Sequence, residues 1–243
     1  SADTTTIGLA GGAGTIQIAE ADLDDITAGT IAIGDSNTGT LTIGAALTND
    51  DALSFTSGTG IALNQNVTTS AASDAITFTG PVSLGANVTL GTNNGNVIFS
   101  GGTSTVNADS AGNNRTLTIT AGTGTVTLGA AVGATQALAD FDVTAQNIGV
   151  SNNVTVDAGA GGATATFSGT LQLSGDSVFD ADGTADNHLS FAAINEADAS
   201  VTSLTLSAGG GDITLGGTVD GGFGLTVNST GTVDVNGVIG GTT

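Results

Sequence analysis

The sequence predicts an all-β chain, a right-handed parallel β-helix (solenoid) of about ten short-strand turns. Three observations carry that prediction. A twelve-residue phrase recurs from end to end: apolar-any-apolar, a small-residue linker with a late glycine, then apolar-any-apolar. Its clearest copies are Leu117-Thr-Ile-Thr-Ala-Gly-Thr-Gly-Thr-Val-Thr-Leu128 and Leu204-Thr-Leu-Ser-Ala-Gly-Gly-Gly-Asp-Ile-Thr-Leu215, 87 residues apart. Within each half-phrase the alternation has period two, which puts Leu117 and Ile119 on one face of a strand and Thr118 on the other. Copies starting at 7, 31, 53 and 76, and again at 204 and 225, lie 21 to 24 residues apart, the length of one solenoid turn.

Taken in order, residues 7–18 fit the phrase, and 19–28 form the first excursion from it. The copy at 31–43 is one residue longer and that at 53–63 one shorter; in 76–84 the linker is cut to Thr79-Gly80-Pro81. Pro81 opens a strand at an edge or corner, where a missing backbone donor costs little. The copy at 88–99 is regular, and 117–128 is followed by an alanine-rich insert at 130–140. Residues 154–167 carry an insertion, a third excursion covers 180–200, and 204–215 and 225–235 complete the series. Glycine pairs (Gly101-Gly102, Gly161-Gly162, Gly221-Gly222) and asparagine pairs (Asn93-Asn94, Asn113-Asn114, Asn152-Asn153) mark corners. The eight phenylalanines fall mostly at inward strand positions and read as core. The whole of 1–243 is thus one elongated domain, roughly 50 Å long at ~4.8 Å per layer. An antiparallel β-sandwich of repeated hairpins, turning at 121–124, is the alternative; it keeps the same facing and differs only in which strands pair.

Charge bounds the partners. Twenty Asp and two Glu face one Arg and no Lys, a net charge of −21. Phosphate binding draws on Lys and Arg, so nucleic acid is not an expected partner, and anionic membrane surfaces repel the chain. No apolar run is long enough to cross a bilayer, so membrane insertion is not expected. With no cysteine there is no thiol nucleophile, disulfide or thiolate metal site.

The best metal candidate is Asp180-Ala-Asp182-Gly-Thr-Ala-Asp186, whose opening is that of a calcium loop; Asp180, Asp182 and Asp186 would be the ligands, and calcium the one cofactor expected. The loop lacks the closing Glu and the flanking helices of an EF-hand. Glu20, Asp22, Asp24 and Asp25 form a second acidic cluster. An enzyme is not expected: Arg115 is the only permanent cation, His188 stands alone with Asp186 as a conceivable partner, and serine-nucleophile and phosphate-loop motifs are absent. Carboxylate pairs such as Asp140 with Asp142 are present, but without Trp or Tyr there are no aromatic sugar platforms. Five Asn-x-Thr sequons begin at Asn66, Asn87, Asn114, Asn153 and Asn228.

The segments LTITAGTGTVTLG, LTLSAGGGDITLGGTV and VTLGTNNGNVIFSGG resemble the repetitive shafts of large bacterial surface proteins of the filamentous-haemagglutinin-like, β-strand-repeat adhesin type. The likeness spans residues 7–239 and lies in composition and period. It implies export to the bacterial cell surface or medium and a structural or adhesive role, as an adhesin shaft or the subunit of a fibre or sheath. The Asn-Pro-Asn motifs of the secretion domain and an outer-membrane anchor are missing, so the resemblance implies a shaft segment or a separate subunit. Expected partners are copies of the chain or adjoining repeats. The alternative function is a calcium-dependent module that binds a glycan, on a host or other surface, or another partner. Both ends read as uncapped, with 19–28 the only stretch able to fold back over the first repeat.

Overall fold

The computed structural model describes residues 5–157, 159, 161–183 and 186–240. Its strands pair in parallel throughout and stack as a right-handed β-solenoid of about nine turns. Leu117 pairs with Val88 on one side and Phe141 on the other, 29 and 24 residues away, which excludes the hairpin sandwich.

Each turn visits three faces. Face one contains Ile7–Leu9, Leu41–Ile43, Ile61–Leu63, Val82–Leu84 and Val106–Ala108. It narrows to single bridges at Val132 and then resumes with Val154–Thr155, Ser177–Asp180, Ser203–Gly209 and Gly224–Ser229. Face two stacks Leu47–Asn49, Val67–Ala72, Val88–Asn93 and Thr116–Thr120; face three stacks Thr30–Ile33, Ala52–Thr56, Ile76–Thr79, Val97–Phe99 and Thr125–Leu128. The twelve-residue phrase is therefore a face-corner-face unit, not a turn. Copy 117–128 rounds the corner between faces two and three, whereas 204–215 rounds the corner between faces one and two.

Alternation sets the core as expected. Leu117, Ile119, Val126 and Leu128 are buried, with Thr118 and Thr127 on the outside. Seven phenylalanines are fully buried and continue from turn to turn: Phe55, Phe78 and Phe99 stack at centroid distances of 5.5 and 5.2 Å, and Phe167 lies 5.1 Å from Phe191 and nearly parallel to it. Rings in register recover dispersion and area burial along the axis as well as across it.

Three expectations need correction. Residues 7–18 do not round a corner: Ile16–Ile18 stacks directly on Ile7–Leu9, nine residues on, in the same face. So tight a return is possible because Gly8, Gly12 and Gly14 pack against neighbouring backbone, where a β-carbon would clash. Within 130–140, Val132 keeps its place in face one; 133–139 forms the loop, and Leu138 within it is buried in the core. Within 180–200, His188–Glu196 is a strand. It is one of three long strands, with Asp140–Val150 and Thr164–Leu173, that run across faces two and three; register shifts within continuous strands mark the crossing where they pair. The bulge breaks the period-two pattern and hides the strand from a periodicity reading.

The first end of the stack is partly covered. The short helix Glu20–Asp24 lies over Leu47–Asn49, the outermost strand of face two. Leu23 is buried there, and Glu20 Oε1 accepts the Thr48 N–H at 2.9 Å, satisfying an edge donor that would otherwise be open. At the other end the expectation holds for the described residues: Val233, Val235 and Ile239 are 42 to 49% exposed, where their register partners Ile213, Leu215 and Val219 are buried.

Candidate binding corner

Corner residues follow a simple chemical rule. A side-chain oxygen at a corner accepts a backbone N–H of the next turn: Asn66 from Thr89, Asn87 from Thr116, Asn96 from Thr125, Asn153 from Val178 and Asp212 from Thr232, at 2.7 to 3.1 Å. Short amides and carboxylates suit this position because they reach one layer spacing without a long flexible stem. Asn66, Asn87 and Asn153 are three of the five sequon asparagines, so a structural role accounts for Asn at those sites.

The corner between faces one and two departs from this economy. Early turns cross it in three residues (44–46, 64–66, 85–87). Four successive later turns use seven or eight, at 109–115, 133–139, 156–163 and 181–187, after which 210–212 is short again. Insertions gathered on one corner of a solenoid are where binding surfaces are built. Arg115, Asp140, Asp180, Asp182, Asp186 and His188 all lie in these loops or at the strand ends beside them.

Each candidate has a definite environment. Arg115 forms a two-point ion pair with Asp109, Nε to Oδ1 at 2.9 Å and Nη2 to Oδ2 at 3.2 Å. With Asn113 also donating, the Asp109 carboxyl is lowered to about 2, the Arg115 hydrogen bond being the largest cause. The chain's one permanent cation is thus engaged within its own loop. His188 Nδ1 accepts the Asp212 N–H at 2.7 Å, which places the neutral-ring proton on Nε2, and it does not pair with Asp186 in the described contacts.

The three calcium candidates have separate hydrogen bonds. Asp180 Oδ1 accepts the Asp182 N–H, Asp182 Oδ2 accepts the Ser207 hydroxyl at 2.6 Å, and Asp186 Oδ1 accepts the Gly210 N–H at 2.8 Å. Asp182 and Asp186 nevertheless approach the same turn: a β-carbon on Gly209 would lie 2.5 Å from Asp186 Oδ1 and 3.0 Å from Asp182 Oδ1. Thr184 and Ala185, between them, lie outside the described residues. Among the described residues no group of three or more His, Asp or Glu is disposed to hold a metal ion.

Asp140 and Asp142 share the outer side of Asp140–Val150. Asp142 is spent on the Thr166 N–H at 3.0 Å. Asp140 is half-buried, and burial, reinforced by the Asp142 charge, raises its carboxyl to about 6. It opens into a groove of about 250 Å³ between the 109–115 and 156–163 loops. The floor is Asn187, 1% exposed, whose Nδ2 donates to Ala139 O and Val156 O while Oδ1 accepts from Ala163 N, a tie across three turns. Sequence reading missed Asn187, because no pattern announces a buried amide that bridges loops 48 residues apart.

No family profile, curated protein or solved structure matches this chain.

Proposed function

We propose that this chain is an extracellular structural protein, the β-solenoid shaft of a bacterial surface adhesin or the subunit of a surface fibre or sheath, acting through shape and end-on association. The carrying observation is the continuous core. One file of apolar side chains runs through about nine turns, and corner polar groups tie each turn to the next. Such an object resists bending and carries load along its axis. The exposed Val233, Val235 and Ile239 support an end-on partner, either another copy or adjoining repeats in the same register, since the next turn is what covers their register partners Ile213, Leu215 and Val219. Antibody-labelled electron microscopy of the source cells tests this: label along surface rods or fibres is expected, and label confined to the cell interior contradicts it.

A second reading, a binding module, is favoured by the four long loops on one corner. Calcium at Asp180, Asp182 and Asp186 belongs to it, through the approach of Asp182 and Asp186 to Gly209. In this reading millimolar calcium raises the melting temperature more than magnesium does, and Asp182→Asn removes the difference. Equal effects of the two ions reduce the response to charge screening of a −21 chain.

A further inference from the structure

The groove beneath the long loops is lined by one ionisable side chain, Asp140, among neutral polar and small residues. Asp140 lines the groove; its Oδ1 accepts the neighbouring Phe141 N–H at 2.9 Å, and its Oδ2 has no described hydrogen bond. The side chains of Thr116, paired with Asp140 in the sheet, and of Asn114 line the same space without described side-chain bonds. Gly159 and Gly161, at φ 97 and 82°, line one side of it and bring no side chain of their own. The opening is too small for a second strand or helix, and an adjoining depression shares Asn114 and Gly159.

Charge then selects the ligand. The groove's own carboxylate is half-buried and is flanked by Asp142 on the same strand and by Asp157 on the adjoining depression. His188 stands two strands away, paired with Thr164 of the intervening strand. The sequence has no Lys, and Arg115 is committed to Asp109, so no described protein cation neutralises Asp140. An anion is repelled, and an apolar group finds a polar floor. We propose that this groove binds a protonated primary amine, with Asp140 accepting the ammonium through Oδ2 and Thr116 and Asn114 supplying oxygen acceptors beside it. A lysine side chain and an amino sugar both present that group. The inference rests on the reading of the long-loop corner as a binding site; the shaft reading stands or falls separately, by microscopy.

Amide NMR titration at constant ionic strength tests it, with n-butylammonium as the lysine mimic and glucosamine as the amino sugar. Saturable shifts confined to the amides around Thr116, Phe141 and Ala163 are expected, with a dissociation constant on the order of 1 mM for so small a ligand. Whichever probe saturates first identifies the source. Asp140→Asn keeps the Phe141 bond, and Ala163→Leu fills the groove without changing charge; each weakens binding about tenfold or more. Asp50→Asn removes the same charge from an exposed site elsewhere and changes affinity by less than about twofold. Unsaturable shifts spread over carboxylates on every turn, or equal losses for Asp140→Asn and Asp50→Asn, overturn the proposal. So does a natively folded Asp140→Asn chain that binds as tightly as the parent.

Discussion

Val126 and Thr127 are neighbours in one strand and answer to opposite solvents. Val126 is fully buried against Val97 and Ile148 in the turns on either side, while Thr127 faces outward. Val126→Asp should therefore cost about 4 kcal/mol through an uncompensated buried carboxylate, and Thr127→Asp well under about 1 kcal/mol. Chemical denaturation of the two variants checks this, and equal losses would contradict the register. Period-two alternation made this facing readable from sequence. It gave no hint of Asp140, an outward residue like Thr118, whose burial comes from loops that sequence spacing does not position. Because the folded-state carboxyl lies at about 6, above the ordinary 3.8, folding is favoured by protonation. The contribution is greatest below about pH 4, declines as pH rises to about 6, and stays at its lower value above that. Asp140→Asn should remove the decline. Discounted for partial exposure, the variant gains about 1 kcal/mol at pH 7 and nothing at pH 4. Thermal melts at the two pH values measure it, and an equal gain at both would contradict the assignment.

At the scale of elements, the helix Glu20–Asp24 does what a capping repeat does in longer solenoids: it places one apolar side chain over the core and one carboxylate on an edge donor. Leu23→Ala should loosen this cover more than the body of the rod. Exchange of the Thr48 amide, whose partner is Glu20, should accelerate while that of Ile119, deep in the stack, stays slow; uniform acceleration would mean the helix supports the whole fold. The excursion at 19–28 was legible, but its helix was not, since Glu20-Ala-Asp-Leu-Asp24 is too short to show a helical period. The long strands Asp140–Val150, Thr164–Leu173 and His188–Glu196 escaped for a related reason. Each changes face at a bulge, and a residue such as Ala193 then occupies an outward position that strict alternation does not assign to it.

For the molecule as a whole, the solenoid and its turn length followed from the spacing of the phrase, and parallel pairing confirmed them: Ile31 pairs with Leu53, Leu53 with Ile76, and Leu204 with Leu225. What spacing could not reveal is that the phrase occurs on all three corners, so that its two best copies are not equivalent positions. Nor could it reveal that four long loops fall on one corner, because loop length is visible in sequence only after each strand has been assigned a face. The central claim is the parallel stack itself, and distances between spin labels on one outward file test it most directly. Thr89, Thr118, Ser190, Thr214 and Asp234 lie on successive turns of face two in a single register line, with Asp142 and Thr166 between Thr118 and Ser190. Pulsed electron resonance between a label at Thr89 and a second at Ser190, Thr214 or Asp234 should give about 19, 24 and 29 Å, a steady rise of about 4.8 Å per turn. Distances that fail to increase in that order, or that fold back toward the Thr89 label, would contradict the solenoid.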